Sequence, residues 1–383
     1  MRLILPRLLL TTVAVAAMSH SLIAVAGETI PADEARRDDE GTLWYDVNLL
    51  TVEGREWSDL KSPFDRLPAE AEGVVRGAVW GLSRHSAGMR IRFVTDASTI
   101  HAAWTLTSDR LAMPHMPATG VSGIDLYVRD DAGEWRWLAN KAPTGKSTSL
   151  QLVSGIPAGT REYALYLPLY NGVTSVEIGL PEDASLMTPP PYDDGRERPI
   201  VFYGTSITHG ACASRPGMCH PAILGRRFDR PVVNLGFSGN GTMDPEVAEL
   251  MAEIDAAVYV IDCLPNMSAA QVSERTGPLV RLLREKRPDT PILLVEDRTY
   301  SDAFLLPGKR DRNDTSREAL RTEYQKLIND GVSGLYYLAG EHLLGDDNEG
   351  TVDSSHPTDL GFMRQADAFE VPLREILEGE AGP

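Results

Sequence analysis

The pattern of apolar and polar residues changes near the middle of the chain. Between about residues 41 and 186 the two types alternate with period two, as in segments 89–94 and 124–129. Turn-forming sequences such as residues 130–133 separate these stretches. The alternation predicts short antiparallel strands that each bury one face. Several such strands at close spacing favour an all-β sandwich of the jelly-roll type over residues 41–187.

The second half alternates between short apolar runs and amphipathic segments. Continuous apolar runs are typical of strands that are buried on both faces of a parallel sheet. Asp244 and Pro245 predict one helix start, and Thr315 with Glu318 forms a predicted capping box at another. We therefore predict an α/β domain with a parallel five-stranded sheet flanked by helices. The predicted strands are 200–203, 232–235, 256–261, 291–295 and 334–338.

A proline-rich stretch separates the two patterns. Residues 188–198 contain three consecutive prolines followed by a polar turn, a composition that predicts a linker. The length of 383 residues also agrees with two domains. The predicted organisation is a signal peptide (1–26), an N-terminal segment (27–40), the sandwich domain (41–187), the linker (188–198) and the α/β domain (199–383).

The first 26 residues have the three parts of an export signal. Arg2 and Arg7 lie before an apolar stretch that runs over residues 8–18, and small residues at 24–26 form a cleavage site. We expect cleavage between Ala26 and Gly27 and an exported protein, either periplasmic or extracellular. An uncleaved membrane anchor is the alternative, but the polar residues 19–21 interrupt the apolar run.

Composition and charge exclude several classes of partner. A hydrophobic content of 42% is typical of a globular protein. Lys and Arg total 37 against 55 Asp and Glu, so the formal charge is -18 and neither nucleic acid nor an anionic membrane surface is an expected partner. No apolar run beyond the signal approaches the roughly 20 residues of a membrane span, so we expect no membrane association after cleavage.

Polar residues with catalytic potential follow three of the predicted strands. Ser206 lies in a Gly-Thr-Ser turn after the first strand, Gly239 in a glycine-rich segment after the second, and Asn266 after the third. Asp353 and His356 stand close together before the last long helix. Ligands of parallel sheets bind beyond the carboxyl ends of the strands, so these residues are expected to share one site. Each signal alone is weak, because a Gly-Thr-Ser turn is usually only a helix cap.

In combination, the residues resemble the SGNH hydrolase superfamily, also called GDSL esterases, from Pro199 onward. That superfamily carries a serine in a Gly-Asp-Ser-like block, then a glycine, an asparagine, and finally Asp-x-x-His. The resemblance implies that the parallel five-stranded sheet flanked by helices is flavodoxin-like. It also implies that Ser206, Asp353 and His356 form a catalytic triad. The implied oxyanion hole consists of the backbone N–H groups of Ser206 and Gly239 and the side-chain amide of Asn266.

The resemblance has two departures and one extension. Thr205 stands where the superfamily commonly has Asp, and Asn266 follows Leu-Pro rather than glycines. In the first half, residues 123–127 (Gly-Ile-Asp-Leu-Tyr) are similar to the sandwich domain that precedes the catalytic domain in one branch of the superfamily.

The order Ser, Asp, His also occurs in α/β-hydrolases, but their Gly-x-Ser-x-Gly elbow would need glycine where Thr208 stands.

The three cysteines are too few for a disulfide scaffold. Cys212 could pair with Cys219 or with Cys263, and the sequence does not distinguish the two. A zinc site that combines His209 and His220 with the first two cysteines is rejected, because the spacings match no Cys-x2-Cys or His-x3-His pair. We expect no metal and no cofactor.

Substrate contacts are predicted from the polar residues that follow the fourth strand, namely Glu296, Arg298 and Tyr300. A polar entrance suits a small ester or an acetylated carbohydrate better than a long lipid. By analogy with the superfamily, we expect a secreted serine esterase that removes acetyl groups from carbohydrate. The alternatives are an acyltransferase with the same Ser/His/Asp site and a non-catalytic carbohydrate-binding protein. The oligomeric state is not indicated.

Overall fold

The computed structural model describes residues 27–193 and 195–379. The predicted signal peptide therefore lies outside the described residues. Within the described ranges, no helix combines the length and the apolar character needed to cross a membrane. The predicted fold class is confirmed: an antiparallel β-rich half precedes a parallel sheet covered by helices.

The N-terminal half shows the burial pattern that period-two alternation predicts. In segment 99–106, for example, every second residue is buried and the residues between are half-buried. The strands are Thr29–Ile30 (β1), Arg36–Arg37 (β2), Thr42–Asp46 (β3), Val52–Glu53 (β4), Arg90–Thr95 (β5), Thr99–Leu106 (β6), Ile124–Arg129 (β7), Trp135–Lys141 (β8), Ser147–Ser154 (β9), Arg161–Tyr166 (β10), Val173–Pro181 (β11) and Leu186–Met187 (β12), and the helices are Gly77–Ser83 (α1) and Ala118–Val121 (α2).

These strands form two antiparallel sheets. One has the order β1-β12-β5-β10-β7-β8 with β4 also paired to β5, and the other has the order β2-β3-β11-β6-β9. Side chains from both sheets, among them Phe93, Trp104 and Ile178, are buried in one hydrophobic cluster. Residues 27–40, which the sequence analysis set apart, contribute β1 and β2 to the sheets. Strands of two residues are too short to show a periodicity.

The C-terminal half contains the five predicted parallel strands, with helices between them. All pairings are parallel, and the strand order is the flavodoxin-like 2-1-3-4-5. The strands are Ile200–Gly204 (β13), Val232–Gly236 (β14), Val258–Asp262 (β15), Ile292–Val295 (β16) and Leu335–Leu338 (β17), and the helices are Ser206–His209 (α3), His220–Arg227 (α4), Pro245–Met251 (α5), Ala269–Lys286 (α6), Pro307–Asn329 (α7) and Asp359–Glu378 (α8).

The strand order creates one switch point in the parallel sheet. β13 lies between β14 on one side and β15 on the other, so the loops that leave these three strands diverge from a common edge. Ligands of open α/β sheets bind in the crevice at such a point. Ser206, Gly239 and Asn266 lie in these three loops.

Of the two predicted helix starts, one is correct. α5 begins at Pro245 with Asp244 as its N-cap residue. The capping box predicted from Thr315 and Glu318 is wrong, because both residues lie inside α7, which begins at Pro307. Thr315 instead donates its hydroxyl to the backbone carbonyl of Asp311 at 2.6 Å. The early turns of α7 are strongly polar, so apolar periodicity does not mark them.

The two domains share hydrophobic cores. One cluster joins Tyr127 and Tyr166 of the sandwich to Phe202 of the parallel sheet. At the same interface, the buried carboxylate of Asp125 accepts a hydrogen bond from Arg215 at 2.8 Å. The segment 123–127 therefore contacts the α/β domain directly.

A substitution at Gly120 in α2 tests whether the two domains must approach each other this closely. A Cβ atom at this position would overlap the backbone carbonyl oxygen of Ala213 in the α/β domain. We expect Gly120→Ala to lower the free energy of unfolding by about 1–3 kcal/mol, because overpacking forces the backbone apart. Urea denaturation measures this change. The control is Gly308→Ala in α7, where the added atom meets open space, and unchanged stability of both variants would contradict the prediction.

Candidate active site

The turn after β13 places Ser206 at the edge of the parallel sheet. Ser206 is the first residue of α3, and the hydroxyl of Thr205 accepts the backbone N–H of Ile207 at 3.3 Å. Thr205, which departs from the superfamily pattern, is thus the N-cap of this short helix. Gly210 ends the helix with a φ of 106°, a left-handed conformation that favours glycine.

The structure brings Ser206, His356 and Asp353 into one hydrogen-bonded chain. Ser206 Oγ lies 2.7 Å from His356 Nε2. His356 Nδ1 lies 2.7 Å from Asp353 Oδ2, and the His356 backbone N–H donates to the other carboxylate oxygen at 2.8 Å. In the tautomer that fits these contacts, Nδ1–H donates to the carboxylate and Nε2 accepts the serine hydroxyl. A hydroxyl, a base and an orienting carboxylate are therefore aligned for nucleophilic catalysis.

The loop that carries Asp353 and His356 is fixed by its neighbours. Ser354 has a left-handed backbone (φ 74°), which costs energy for a residue with a side chain. Its backbone carbonyl accepts the N–H of Ser301 at 3.0 Å, and Lys309 donates to its hydroxyl at 2.6 Å. These contacts from the segment after β16 hold the loop in its strained conformation.

Asp353 is prepared to remain ionised. Burial alone would raise the pKa of its carboxyl, but hydrogen bonds from the backbone N–H and the ring of His356 hold that pKa below its usual value. An ionised carboxylate can orient the imidazole and stabilise its protonated form.

Gly239 and Asn266 lie in the two loops that flank Ser206. Asn266 Oδ1 accepts the backbone N–H of Gly241 at 3.2 Å, which fixes the amide orientation and leaves the NH₂ group as donor. Gly239 is exposed and has a φ of 70°, so its backbone adopts a conformation that a side chain would strain. Gly241 lies so close to Gly204 that a Cβ atom there would overlap the Gly204 carbonyl oxygen. Glycine at 241 thus lets this loop lie against the end of β13.

Arg298 is buried, and its prediction as a substrate-binding residue is wrong. Its guanidinium forms a bidentate ion pair with Asp262, and Nε donates to Gln365 at 2.9 Å. Both members of the ion pair are buried. Asp262 also accepts the hydroxyl of Thr208 at 3.1 Å, so this pair supports α3 from below.

Glu296 is likewise a structural residue rather than a substrate contact. Its carboxylate is buried and accepts hydrogen bonds from Tyr337, from Arg321 at 3.0 Å and from the backbone N–H of Gly340 at 2.9 Å. Burial continues for three residues beyond the end of β16, through Arg298. The buried polar residues Glu296 and Arg298 at the end of this strand therefore form ion pairs instead of contacting substrate.

Tyr300 is the one predicted substrate residue that stays near the triad. It is half-buried, and its neighbour Ser301 contacts the loop that carries Asp353. Lys309 Nζ lies 5.4 Å from the centre of its ring. Burial raises the pKa of the Tyr300 hydroxyl, so this side chain stays neutral and can donate a hydrogen bond.

The cysteines and the central histidines do not form the sites that their crowding suggested. Cys212, Cys219 and Cys263 are buried free thiols, so neither open disulfide pairing is present. His209 Nε2 donates to the Leu169 carbonyl at 2.7 Å, and burial lowers the pKa of the ring well below the ordinary value, so the ring is neutral. Within residues 27–193 and 195–379, no group of three or more acidic, His or Cys side chains is placed to hold a metal ion.

The sequence analysis missed Tyr170, which contacts the nucleophile turn from the sandwich domain. Its hydroxyl donates to the backbone carbonyl of Ser206 at 3.3 Å, and its ring stacks on His209 with 4.1 Å between centroids. Tyr170 follows β10, far from Ser206 in sequence. No local pattern could have marked it, because its contact exists only once the domains dock.

Comparison with known families agrees with this geometry. The family model described as "GDSL-like Lipase/Acylhydrolase family" matches residues 197–374, and the model described as "N-terminus of Esterase_SGNH_hydro-type" matches residues 42–186. A solved structure from Bacteroides ovatus ATCC 8483, described as a GDSL-like lipase, is 34% identical, with a TM-score of 0.83 over 88% of this chain and 98% of that one. The chain belongs to the GDSL-like, SGNH-type family of esterases and acylhydrolases.

More distant structures share the fold. A salicylyl-acyltransferase from a tetracycline biosynthetic pathway is 20% identical, with a TM-score of 0.68 over 92% of this chain and 98% of that one. An acetyl xylan esterase from the rumen bacterium Butyrivibrio proteoclasticus is 12% identical, with a TM-score of 0.52 over 88% and 99%. No curated protein sequence matches the chain. At these identities the likeness establishes the common fold.

The ion pair of Arg298 and Asp262 yields a stability prediction. Arg298→Met leaves a buried carboxylate without its cation, which typically costs about 3–5 kcal/mol. We expect a correspondingly lower urea midpoint. The matched control is Arg136→Met, which removes an exposed pair with Asp130 and should change stability little. Equal stability of the two variants would show that the buried pair does not support the site.

Proposed function

We propose that this protein is a secreted serine esterase that removes small acyl groups, most specifically acetyl groups, from a carbohydrate. The observation that carries the proposal is the continuous chain of hydrogen bonds from Ser206 through His356 to Asp353. Each member has the chemical type and the separation that acyl transfer through a serine requires.

The first half of the reaction forms an acyl-enzyme. As Ser206 Oγ attacks the ester carbonyl carbon, its proton passes to His356 Nε2, 2.7 Å away. The ionised Asp353 stabilises the resulting imidazolium. The tetrahedral intermediate then expels the alcohol, which takes the proton from Nε2, and the acyl group remains on Ser206.

The second half returns the enzyme to its starting state. Water loses a proton to His356 Nε2 and attacks the acyl-serine carbonyl. Collapse of the second tetrahedral intermediate breaks the bond to Oγ, and the proton on Nε2 restores the Ser206 hydroxyl. The acid leaves as product.

Both tetrahedral intermediates carry a negative oxygen that needs donors fixed in advance. The backbone N–H groups of Ser206 and Gly239 and the free amide of Asn266 are the proposed donors. They come from the loops after β13, β14 and β15, which leave the switch point of the sheet together. The bond from Gly241 to Asn266 Oδ1 supports the role of the amide as donor.

Several features favour a carbohydrate ester and an exported enzyme. The side chains of Asp353 and His356 remain partly exposed, at 48% and 27%, so the base is accessible to a bulky substrate. The surrounding loop side chains Tyr300, Ser301 and Lys309 are polar and suit a hydroxylated alcohol. One fold relative is named as an acetyl xylan esterase. The export signal in residues 1–26 supports the localisation.

The role of the triad is tested by three substitutions. We expect Ser206→Ala and His356→Ala to abolish hydrolysis of p-nitrophenyl acetate, because each removes a bond-making group. Asp353→Asn should retain some activity, since the imidazole still moves the proton. Release of p-nitrophenolate measures all three, and Ser98→Ala on the exposed sandwich surface is the control. Normal hydrolysis by Ser206→Ala would refute the serine mechanism.

The substrate class is tested by product analysis. We expect release of acetate from a panel of acetylated sugars and polysaccharides, and faster turnover of acetyl than of octanoyl esters. Faster octanoyl turnover would instead direct attention to the exposed side chains of Phe304 and Leu305. Transfer of the acyl group to an added alcohol in preference to water would identify an acyltransferase. Absence of labelling at Ser206 by a fluorophosphonate would indicate a non-catalytic binding protein.

A further inference from the structure

The loop between β14 and α5 receives two arginines from the N-terminal domain. We call residues 236–244 the oxyanion loop, because they include Gly239. Arg66 and Arg76 both lie in segment 64–88, between β4 and β5 of the sandwich, and both contact this loop or the end of β14. They are separated from it by more than 150 residues of sequence.

Arg76 forms hydrogen bonds with the C-terminal part of the oxyanion loop. Its Nη1 donates to Asn240 Oδ1 at 2.8 Å, and its Nη2 donates to the Asn240 carbonyl at 2.8 Å and to Thr242 Oγ1 at 3.0 Å. Its Nε donates to Asp244 Oδ2 at 2.8 Å. One guanidinium thus binds side-chain or backbone oxygens of Asn240, Thr242 and Asp244, which all follow Gly239 in the loop. A planar fork of five donors is suited to such a set of acceptors.

Arg66 forms hydrogen bonds where the oxyanion loop begins. Its Nη1 donates to the carbonyls of Asn234 and Gly236, each at 2.8 Å, where β14 ends and the oxyanion loop begins. The remaining donors bind the carbonyls of Leu82 and His85 within its own segment. The guanidinium is fully buried, and among the described residues it forms no ion pair with a carboxylate.

A buried cation whose hydrogen bonds go only to backbone carbonyls is costly to maintain, although the Arg66 guanidinium also lies 5.1 Å from the centre of the Phe237 ring. Burial lowers the pKa of Arg66 to about 9, which expresses the cost of removing this charge from water. Hydrophobic contacts offset it, because Leu67, Val75 and Val79 of the same segment belong to a cluster that includes Phe237. Segment 64–88 is therefore docked firmly enough to transmit its position to the loop.

The oxyanion loop needs such support. Gly239 and Met243 both have left-handed backbones, with φ values of 70° and 53°, and Met243 is not glycine. Met243 is strained in this conformation, so the loop would relax without external contacts. The N–H of Gly239 would then no longer point towards the proposed oxyanion. Donors of an oxyanion hole stabilise charge only when they are fixed before the reaction begins.

We propose that Arg66 and Arg76 are positioning residues that hold the oxyanion loop, so that the N-terminal domain is an obligatory part of the catalytic machinery. This inference rests on the proposed function, because the loop matters only if Gly239 stabilises an oxyanion. Neither arginine touches the substrate in this proposal. They act through the backbone that carries the donor.

Arg76→Met is the decisive variant. Its side chain is 45% exposed, and Asp244 keeps a second partner, Arg275, at 3.0 Å, so the carboxylate is not left alone. We expect kcat for p-nitrophenyl acetate to fall about tenfold or more with little change in KM, less than the roughly 10²- to 10³-fold loss on removing a donor itself. Arg76→Lys should recover part of the rate, since an ammonium can bind some but not all of the acceptors.

Arg84→Met provides the control for general loosening of the segment. Arg84 pairs with the buried Asp65 at 2.9 Å and does not contact the oxyanion loop. The variant should lower the thermal midpoint and leave kcat unchanged. If Arg84→Met reduces kcat as much as Arg76→Met, the arginine acts only through stability and the inference is overturned.

Double variants separate positioning from other effects. Asn266 also holds the oxyanion loop, because its Oδ1 accepts the N–H of Gly241 at 3.2 Å. If Arg76 acts by holding the same loop, the fold-losses of Arg76→Met and Asn266→Ala should not multiply, whereas Arg76→Met should have its full effect in an Asp353→Asn background. Fold-losses that multiply in both backgrounds would contradict the proposal. Loss of activity in Ser206→Ala together with wild-type kcat in Arg76→Met would overturn this inference alone, whereas normal activity in Ser206→Ala would overturn the proposed function first.

Discussion

The contact between Ser206 Oγ and His356 Nε2 joins points 150 residues apart in the sequence, and the rest of the structure serves to hold it. The serine is carried by the end of β13, and the histidine precedes α8. Phe369 of α8 packs beside Phe202 of β13, with 6.4 Å between ring centroids. At the start of α8, Asp359 accepts the backbone N–H of Ser214 at 3.0 Å. The helix is thereby fixed to the sheet and to the loop after α3.

Buried charges are a second constraint. The bidentate pair of Asp262 and Arg298 lies under α3, and the cation of Arg66 lies under the end of β14. Buried charge is tolerated only when nearly every donor and acceptor is matched, so these groups leave few alternative arrangements of the turns above them. They support the turn that carries the proposed nucleophile and the loop that carries a proposed donor.

Family membership and fold do not determine whether water or an alcohol accepts the acyl group. Proteins with this fold include one named as an esterase and one named as an acyltransferase. Both reactions can pass through an acyl-serine and differ in which hydroxyl attacks it. In the proposed mechanism the acceptor approaches His356, next to the loop of Ser354 that Ser301 contacts. The parallel sheet sets where this loop is and does not set its composition.

The sequence by itself determined the two halves of the fold and the residues of the proposed triad. Alternation of period two is a local property of a half-buried strand, and apolar runs are a local property of a doubly covered one, so both could be recognised without the partner element. The same holds for Ser206, Asp353 and His356, because their family pattern consists of short segments. The early turns of α7 were missed because a polar helix surface has no apolar period.

Only the tertiary structure decided what polar residues at strand ends do. Glu296 and Arg298 have the same local setting as a substrate contact, and they turn inward because Arg321 and Asp262 lie opposite them in space. Arg66 and Arg76 carry no local sign of their role, since the oxygens that they bind near the oxyanion loop belong to another domain. Whether a charged side chain meets solvent or a partner depends on packing between distant segments, and no window of sequence contains that information.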